Sequence, residues 1–395
     1  MSALRLVVIT FFLVTVGQLT AGIYLPSLPH IANNLQAGAD LAQLILVIYY
    51  LCYGLSQFVY GPLVDRFGRR RVTIAGLGIF LIGSLVGMLA PTIRVLWLGC
   101  LLQGLGIGVA GVLARSVPRD LYSGKALVAV NSWINAAIII MPLLAPIIGG
   151  YLQTYMGWRA NFVLMLAYSL VVLLWVVKDF SETQKPISNK SLNLRQALCQ
   201  YYQVLSHSQF RAYIICATIA FMSVPAFEVT GTFLLQNVIG VSPAMFGWLT
   251  LIPFLGFVVG NYGAKGLVHY WRVDNLLLLG SLLMAVASLA LLIPGWYDYV
   301  TIIAILLPVT VFLIGAGIVI PLAITGAMEP FVSLAGTAGA LLGGLQNLSG
   351  GLVTAVLSWL PEYTQFPLGV IFLVIAGVIA GVILLQQLSK QDVDG

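Results

Sequence analysis

Long apolar runs separated by short polar segments form the pattern of this chain. Each run has roughly the 20 residues that a helix needs to cross a bilayer. The runs are continuous, whereas strands of a membrane barrel alternate apolar and polar positions over roughly ten residues. The pattern therefore predicts an all-α integral membrane protein. We expect twelve spans, at residues 4–25, 42–62, 72–91, 93–115, 131–153, 160–178, 210–236, 244–267, 273–294, 299–322, 333–358 and 366–388.

The longest polar stretch, from Asp179 to Gln209, divides these spans into two sets of six. We therefore predict an N-terminal six-helix bundle at 1–178, a cytoplasmic linker at 179–209 and a C-terminal six-helix bundle at 210–395. The composition agrees, because only 8% of the residues are charged, whereas soluble domains carry about 25%.

The basic residues predict the orientation, because lysine and arginine accumulate on the cytoplasmic side of membrane proteins. If both termini are cytoplasmic, all of the 18 lysines and arginines except Arg94 and Arg159 fall in cytoplasmic segments. We therefore expect both termini in the cytoplasm, and we draw no inference of nucleic-acid binding from the net charge of +6.

The segment 61–71, between the second and third expected spans, reads G-P-L-V-D-R-F-G-R-R-R. It resembles the signature G-x-L-x-D-R-x-G-R of the major facilitator superfamily, whose members consist of two pseudo-symmetric six-helix bundles. The resemblance implies that this loop is a latch between the two halves during transport. From the residues alone, the arginines could equally be a plain anchor at the membrane surface. The residues that match the signature are Gly61, Leu63, Asp65, Arg66, Gly68 and Arg69.

The fifth span carries Pro142 and Pro146, followed by the pair Gly149 and Gly150. Prolines inside a helix bend it, and glycines permit the close approach of another helix. The segment resembles the G-P-x-x-G-G motif of drug:proton antiporters, with Ala145 in place of its usual glycine; an ordinary kinked helix is the alternative. Further segments, at 119–120, 326–330 and 336–347, resemble the EmrD-type and Bcr-CflA multidrug efflux proteins.

The fourth span departs from the family pattern. Many members have an arginine three residues before the Gln-Gly pair of this span, where this chain has Cys100 before Gln103. The nearest basic residue is Arg115, close to the cytoplasmic end. We assign Arg115, Arg119 and Asp120 to the groups that take part in the conformational change.

Glu228 is an ionisable residue inside a membrane span. A charged side chain there costs free energy, so such a residue is first interpreted as a functional one. It lies eighteen residues after Phe210, whereas nearly every other acid lies in a loop or at a helix end. A carboxyl group in an apolar surrounding can bind and release a proton near neutral pH, and an arriving cationic drug would expel that proton. We therefore predict that Glu228 couples transport to protons. The alternative is a permanently protonated side chain that only hydrogen-bonds a neighbouring helix.

Substrate cavities are mostly apolar and aromatic, with a few polar groups, and tyrosine rings attract cations. In the second span, Tyr49, Tyr53, Gln57 and Tyr60 share one helical face. Polar residues at these places could equally form interhelical hydrogen bonds, each worth about 0.6 kcal/mol. The predicted substrate-binding residues are Gln18, Tyr24, Tyr49, Tyr53, Phe227, Gln346 and Asn347.

The resemblance and the residues together predict a proton-coupled antiporter that exports amphipathic drug-like compounds by alternating access. We expect a monomer in a bacterial inner membrane, with the bilayer, protons and drugs as its partners and without cofactor or metal. The alternative is a uniporter or symporter for a specific small solute, which would need more charged and amide groups at depth. An enzyme is not expected, because the clustered acids or histidines that acid–base or metal chemistry needs are missing.

Overall fold

The structure is a computed structural model that describes residues 3–183, 194–331 and 334–394. In these ranges the chain forms helices and turns and no β-strand. A short 3-10 segment, Leu25–Ser27, follows the first helix, and a π-helical segment, Leu234–Val238, follows the tenth. The helices are α1 (Ala3–Ile23), α2 (Leu28–Asn34), α3 (Ala39–Phe67), α4 (Arg69–Met88), α5 (Ile93–Leu121), α6 (Gly124–Met156), α7 (Arg159–Asp179), α8 (Leu194–Ser206), α9 (Ser208–Phe221), α10 (Ser223–Phe233), α11 (Pro243–Leu267), α12 (Val273–Trp296), α13 (Ile302–Met328), α14 (Ala335–Leu357) and α15 (Phe366–Asp394).

The helices follow the order of the predicted spans. Among the described residues, 11 helical segments are long and apolar enough to cross a membrane. The helix α6, with 33 residues, takes the place of the predicted fifth span and continues through both of its prolines. The prediction of an all-α integral membrane fold is confirmed.

The helix boundaries differ from the prediction in two respects. The seventh span is not one helix but α9, α10 and the π-helical segment, with an interruption at Met222. Pro225 explains the interruption, because a proline lacks the N–H that continues a helix and is tolerated in the first turn of a new one. The helices α3 and α5 extend beyond the predicted spans, because an apolar run marks the membrane core and a helix can continue past it into water.

Part of the predicted linker is itself helical. The helix α8 (Leu194–Ser206) lies in it, and α9 starts two residues later. Residues 184–193 of the linker lie outside the described residues. The division at 179–209 stays a prediction.

The helices pack in two sets. In the first half, α5 packs against α3 and α4, and α7 packs against α4. In the second half, α13 packs against α9, α11 and α12, and α12 packs against α15. The main contacts between the halves are those of α3 with α14 and of α6 with α11. We call the end that carries residues 66–71 and 115–120 the basic face, and the end with the turns 89–92 and 358–365 the opposite face.

Candidate functional site

The halves touch closely where α3 crosses α14. A methyl group on Gly54 would lie 2.8 Å from both the backbone oxygen of Gly344 and the backbone nitrogen of Leu348. Further along, a methyl group on Gly351 would lie 2.7 Å from the side chain of Leu51. Small residues of this kind allow membrane helices to pack backbone against backbone. The interface is therefore built from glycines on both sides.

Glu228 lies at this interface. It is buried on α10, with 3% of its surface exposed. The hydroxyl of Tyr50 on α3 donates a hydrogen bond to its Oε2 atom over 3.3 Å. The membrane-depth carboxyl of the second half is thus held by a donor from the first half, and a movement of the halves changes its surroundings directly.

The neighbouring tyrosines point elsewhere. The Tyr49 hydroxyl donates to the backbone oxygen of Gly17 over 2.9 Å, and the Tyr53 hydroxyl lies 3.4 Å from where a side chain on Gly17 would begin. Both residues therefore pack α3 against α1 inside the first half. Sequence periodicity groups Tyr49 with Tyr53, but it does not say which neighbour that face meets. For this reason the prediction missed Tyr50, which lies on the adjacent face.

Tyr24 also lies within the first half. Its ring stacks on Phe162 with centroids 4.4 Å apart, and its hydroxyl accepts a hydrogen bond from Gln103 Nε2 over 2.8 Å. The same amide nitrogen of Gln103 is 2.9 Å from the hydroxyl of Ser84. These are contacts of a buried polar network that joins helices of one bundle. Gln18 is half-buried.

Three predicted residues of the second half lie on helices that reach the interface. Phe227 is fully buried next to Glu228, and its ring packs against Gly231 of the same helix. Gln346 and Asn347 are half-buried on α14, and the Asn347 amide donates to the backbone oxygen of Gly343 over 2.9 Å. The roles of these three residues in substrate binding remain predictions.

A network of charges fastens the start of α4 at the basic face. Arg69 pairs with Asp120, with Nη2 and Oδ1 3.1 Å apart, and Thr183 donates to Asp120 Oδ2 over 2.9 Å. The Glu182 carboxylate accepts the backbone N–H groups of Arg69 and Arg70 over 3.0 and 3.2 Å. Glu182 therefore caps the helix N-terminus, where negative charge is stabilised. The prediction assigned it no role, because Glu182 is separated from Arg69 by 113 residues of sequence and no local pattern connects the two.

Gly68 makes this geometry possible. Its φ of +88° is one that glycine adopts without penalty, and a side chain there would collide with Glu182.

The guanidinium of Arg66 lies 4.9 Å from the Phe67 ring centroid. Arg119 is exposed, and Gly61 leaves room for the Tyr201 hydroxyl of α8, 3.5 Å from a methyl group placed there.

The contacts of this network in the described part of the chain lie within the first half and at the beginning of the linker. The expected latch to the second half is not among them. That role of Asp65 and its neighbours stays a prediction.

Arg115 does cross to the second half. A methyl group on Gly339 of α14 would lie 2.7 Å from its Cδ atom, and one on Gly343 would lie 2.7 and 2.8 Å from Nη1 and Nη2. Gln57, with 1% of its surface exposed, also lies beside Gly343. The side chain of Arg115 thus covers the glycine face of α14 near the basic face.

The glycine pair of α6 contacts both halves. Gly149 packs against the backbone of Ile23 in α1, and Gly150 packs against Pro243 at the start of α11. The backbone oxygen of Pro146 lies 2.5 Å from where a side chain on Gly247 would begin. The motif that contains Pro142 and Pro146 therefore lies at a contact between bundles. A role of this contact in a conformational change remains a prediction.

We expect Glu182→Ala to destabilise the first half by about 1 kcal/mol, the usual value of a helix cap, because two backbone N–H groups of α4 lose their acceptor. Thermal unfolding of the detergent-solubilised protein measures this effect. Asp298→Asn, an exposed acid at the opposite face, is the control and should leave the transition in place. An unchanged transition in Glu182→Ala would contradict the capping role.

Two helical bundles that meet along glycine-lined helices beside a buried carboxyl group form the architecture of a secondary membrane transporter. The family model described as Major Facilitator Superfamily matches residues 10–354. The chain is 35% identical to the Multidrug resistance protein D of Escherichia coli strain K12 over 93% of this chain and 92% of that protein. It is 26% identical to a Chloramphenicol resistance protein of Pseudomonas aeruginosa, over 92% and 86% of the two chains.

A crystal structure of the human organic anion transporter MFSD10 superposes with a TM-score of 0.72 and 16% sequence identity, over 98% of this chain and 99% of that one. At this identity the likeness shows the fold alone. The chain belongs to the major facilitator superfamily.

Proposed function

We propose that the protein is a proton-coupled multidrug efflux antiporter. The observation that carries the proposal is the position of Glu228, a buried carboxyl between the two halves with a hydrogen bond to Tyr50 of the opposite half. The similarity to proteins named for multidrug and chloramphenicol resistance supports the substrate class.

The mechanism is a competition between a proton and a drug for one carboxyl group. With a proton bound, Glu228 is neutral and compatible with its apolar surroundings. A cationic amphipathic drug favours the carboxylate, because opposite charges attract strongly where water is excluded, and the proton leaves. Since the two ligands exclude one another, the binding site changes the side that it faces with either a proton or a drug bound. This alternation is the basis of exchange.

Carbon atoms from both halves converge next to the carboxyl group. Around Gly350 of α14, a methyl group would lie 3.2 Å from Pro225, 3.6 Å from Phe221 and 3.7 Å from Tyr50. Such a surface recognises flat apolar molecules by contact area rather than by individual hydrogen bonds, which suits a broad range of substrates. In our proposal, ligands bind against this surface, with Gln346 and Asn347 as polar groups at its side.

The proposal includes the orientation and the setting of the protein. The basic face lies in the cytoplasm, both termini are cytoplasmic, and the membrane is the inner membrane of a bacterium. A monomer is sufficient, because both halves of the interface belong to one chain. Exchange of one proton for one cationic drug moves no net charge, so the difference in pH drives the export, with about 1.4 kcal/mol for each tenfold proton gradient, and no nucleotide is needed.

Reconstituted liposomes with a trapped pH-sensitive dye test the function. A quaternary ammonium compound added on one side should drive protons in the direction opposite to its own movement. Proton movement in the same direction as the solute would indicate a symporter, and drug movement without protons would indicate a uniporter. Either result would overturn the antiporter proposal.

Tyr50→Phe tests the contribution of the hydroxyl group. The variant keeps the aromatic ring but removes the donor to Glu228, so the carboxylate that forms when the drug binds is less stabilised. A hydrogen bond to a charged group contributes about 1.5–3 kcal/mol, and we expect at least a tenfold slower drug-driven proton movement. The matched control is Tyr49→Phe, whose hydroxyl binds Gly17 instead. Equal effects of the two variants would contradict the role of Tyr50.

A further inference from the structure

A second contact joins the halves at the opposite face, far along the chain from Glu228. Gln43, near the start of α3, donates a hydrogen bond from Nε2 to the Oε1 atom of Glu362. Glu362 lies in the turn between α14 and α15. That turn is fixed to the second half, because Thr364 donates to the backbone oxygen of Gly295 and Gln365 donates to that of Tyr299, over 3.0 and 2.9 Å. The Gln43–Glu362 bond therefore ties one half to the other.

The amide of Gln43 is incompletely satisfied in this contact. Gln43 has 2% of its surface exposed, and within the described residues its Oε1 atom is buried without a hydrogen-bond donor. A buried acceptor without a donor is costly. The partner of this amide is a carboxyl group, and a carboxyl group becomes a donor when it binds a proton. A protonated Glu362 can pair with an amide through two hydrogen bonds, accepting one from Nε2 and donating one to Oε1.

The surroundings of Glu362 also favour the neutral form. Glu362 is half-buried in the turn, and Asp40 on α3 is the charged group that acts on it from the opposing half. Burial and then the negative charge of Asp40 raise the pKa of Glu362 from 4.5 to about 7, although the hydrogen bond from Gln43 acts in the opposite direction.

From these contacts we propose that Glu362 is a second proton-binding site, and that the proton it binds closes the two halves at the opposite face. The binding step adds one proton to the carboxylate, giving a neutral acid that supplies the donor Gln43 lacks. When the proton leaves, the carboxylate faces Asp40 and the contact is weakened by repulsion of like charges.

The direction of the pH effect follows from the raised pKa. When the halves separate, Glu362 returns to water and to its ordinary pKa of 4.5. The closed contact binds the proton more tightly than the open one, so protonation must stabilise the closed contact by linkage. This stabilisation is complete below the ordinary pKa and is lost as the pH rises through about 7.

The consequence for transport rests on the function and orientation proposed above. If the opposite face meets the acidic outer compartment, outside protons close the carrier on that side. The carrier then returns to face the cytoplasm after the drug has been released. Closure of the contact by a proton depends on neither the substrate nor the orientation, so it can be tested without transport.

The test is a distance between the halves as a function of pH. Spin labels on Arg94→Cys and Tyr297→Cys, exposed positions of the two halves at the opposite face, are measured in nanodiscs from pH 5 to 9. The four native cysteines are first replaced by alanine. In this background the labels should move apart as the pH rises, with a midpoint near 7.

Three variants separate Glu362 from other titrating groups. Glu362→Gln provides an uncharged amide that both donates and accepts, so the labels should stay close at every pH. Glu362→Ala removes the contact, so they should stay apart. Asp40→Asn removes the repelling charge, and the midpoint should move to lower pH. Asp298→Asn, an exposed acid of the same face, should behave like the parent protein.

A distance that does not change with pH, or a midpoint that stays in place in both Glu362→Gln and Asp40→Asn, would overturn the proposal. The liposome assay is a separate readout. If drug-driven proton movement persists while the distance between the labels does not change with pH, the second proton-binding site is refuted and the antiporter proposal is kept. If the distance responds as expected while proton movement is missing, the antiporter is refuted and the closing contact stands.

Discussion

Glu228→Gln should reduce drug-driven proton movement in liposomes to the level of vesicles without protein. Glutamine has nearly the size of glutamate and can still accept the hydrogen bond of Tyr50, which spans 3.3 Å in the native protein. It cannot ionise, and it therefore has no proton to exchange for a drug. Fluorescence quenching of a bound lipophilic cation should show that the variant still binds the ligand, with lower affinity because the negative charge is gone.

The control for this variant is Glu329→Gln, an exposed acid beyond the end of α13 whose Oε2 atom lies 3.3 Å from the Gln209 amide. It removes the same charge from the same half, and we expect proton movement at the parent rate. Proton movement that survives Glu228→Gln would place the proton site elsewhere.

Gly54→Leu should slow turnover strongly without unfolding the protein. A methyl group on Gly54 would lie only 2.8 Å from backbone atoms of α14, so a leucine must push the two helices apart. Overpacking of this kind costs about 1–3 kcal/mol, and each 1.4 kcal/mol changes an equilibrium about tenfold. Because the contact lies between the halves, this cost destabilises the arrangement in which α3 and α14 touch. It does not destabilise the fold of either bundle. We expect at least a tenfold slower drug-driven proton movement.

A glycine that faces open space provides the matched control for Gly54→Leu. A methyl group on Gly78 of α4 would have nothing within 4 Å, so Gly78→Leu should transport at the parent rate. Size-exclusion chromatography and thermal unfolding check that both variants fold. Normal transport by a folded Gly54→Leu would contradict the view that α3 and α14 must meet during the cycle.

The sequence predicts the membrane fold and the depth of Glu228 for the same physical reason. Apolar runs must be long enough to span a bilayer, and a carboxyl group inside such a run stands out. It does not predict the interruption at Met222 from hydrophobicity, because the run stays apolar there. Pro225 is the local signal for that interruption.

The contacts between the halves cannot be predicted from the periodicity of the sequence. Tyr50 and Glu228 are separated by 178 residues, and Gln43 and Glu362 by 319. Helical periodicity groups Tyr49 with Tyr53, but the neighbour of each face is decided by how the bundles pack. The same limit applies to Arg115, whose position in the chain indicates the basic face but not its contact with the glycines of α14.

Competition between one proton and one drug at Glu228 can be measured without a membrane. Purified protein in weakly buffered detergent solution is titrated with a lipophilic cation while a dye records the protons released. Near neutral pH, binding should release up to one proton for each bound drug in the parent protein and none in Glu228→Gln. Binding without release in the parent protein, or equal release in the variant, would contradict the mechanism.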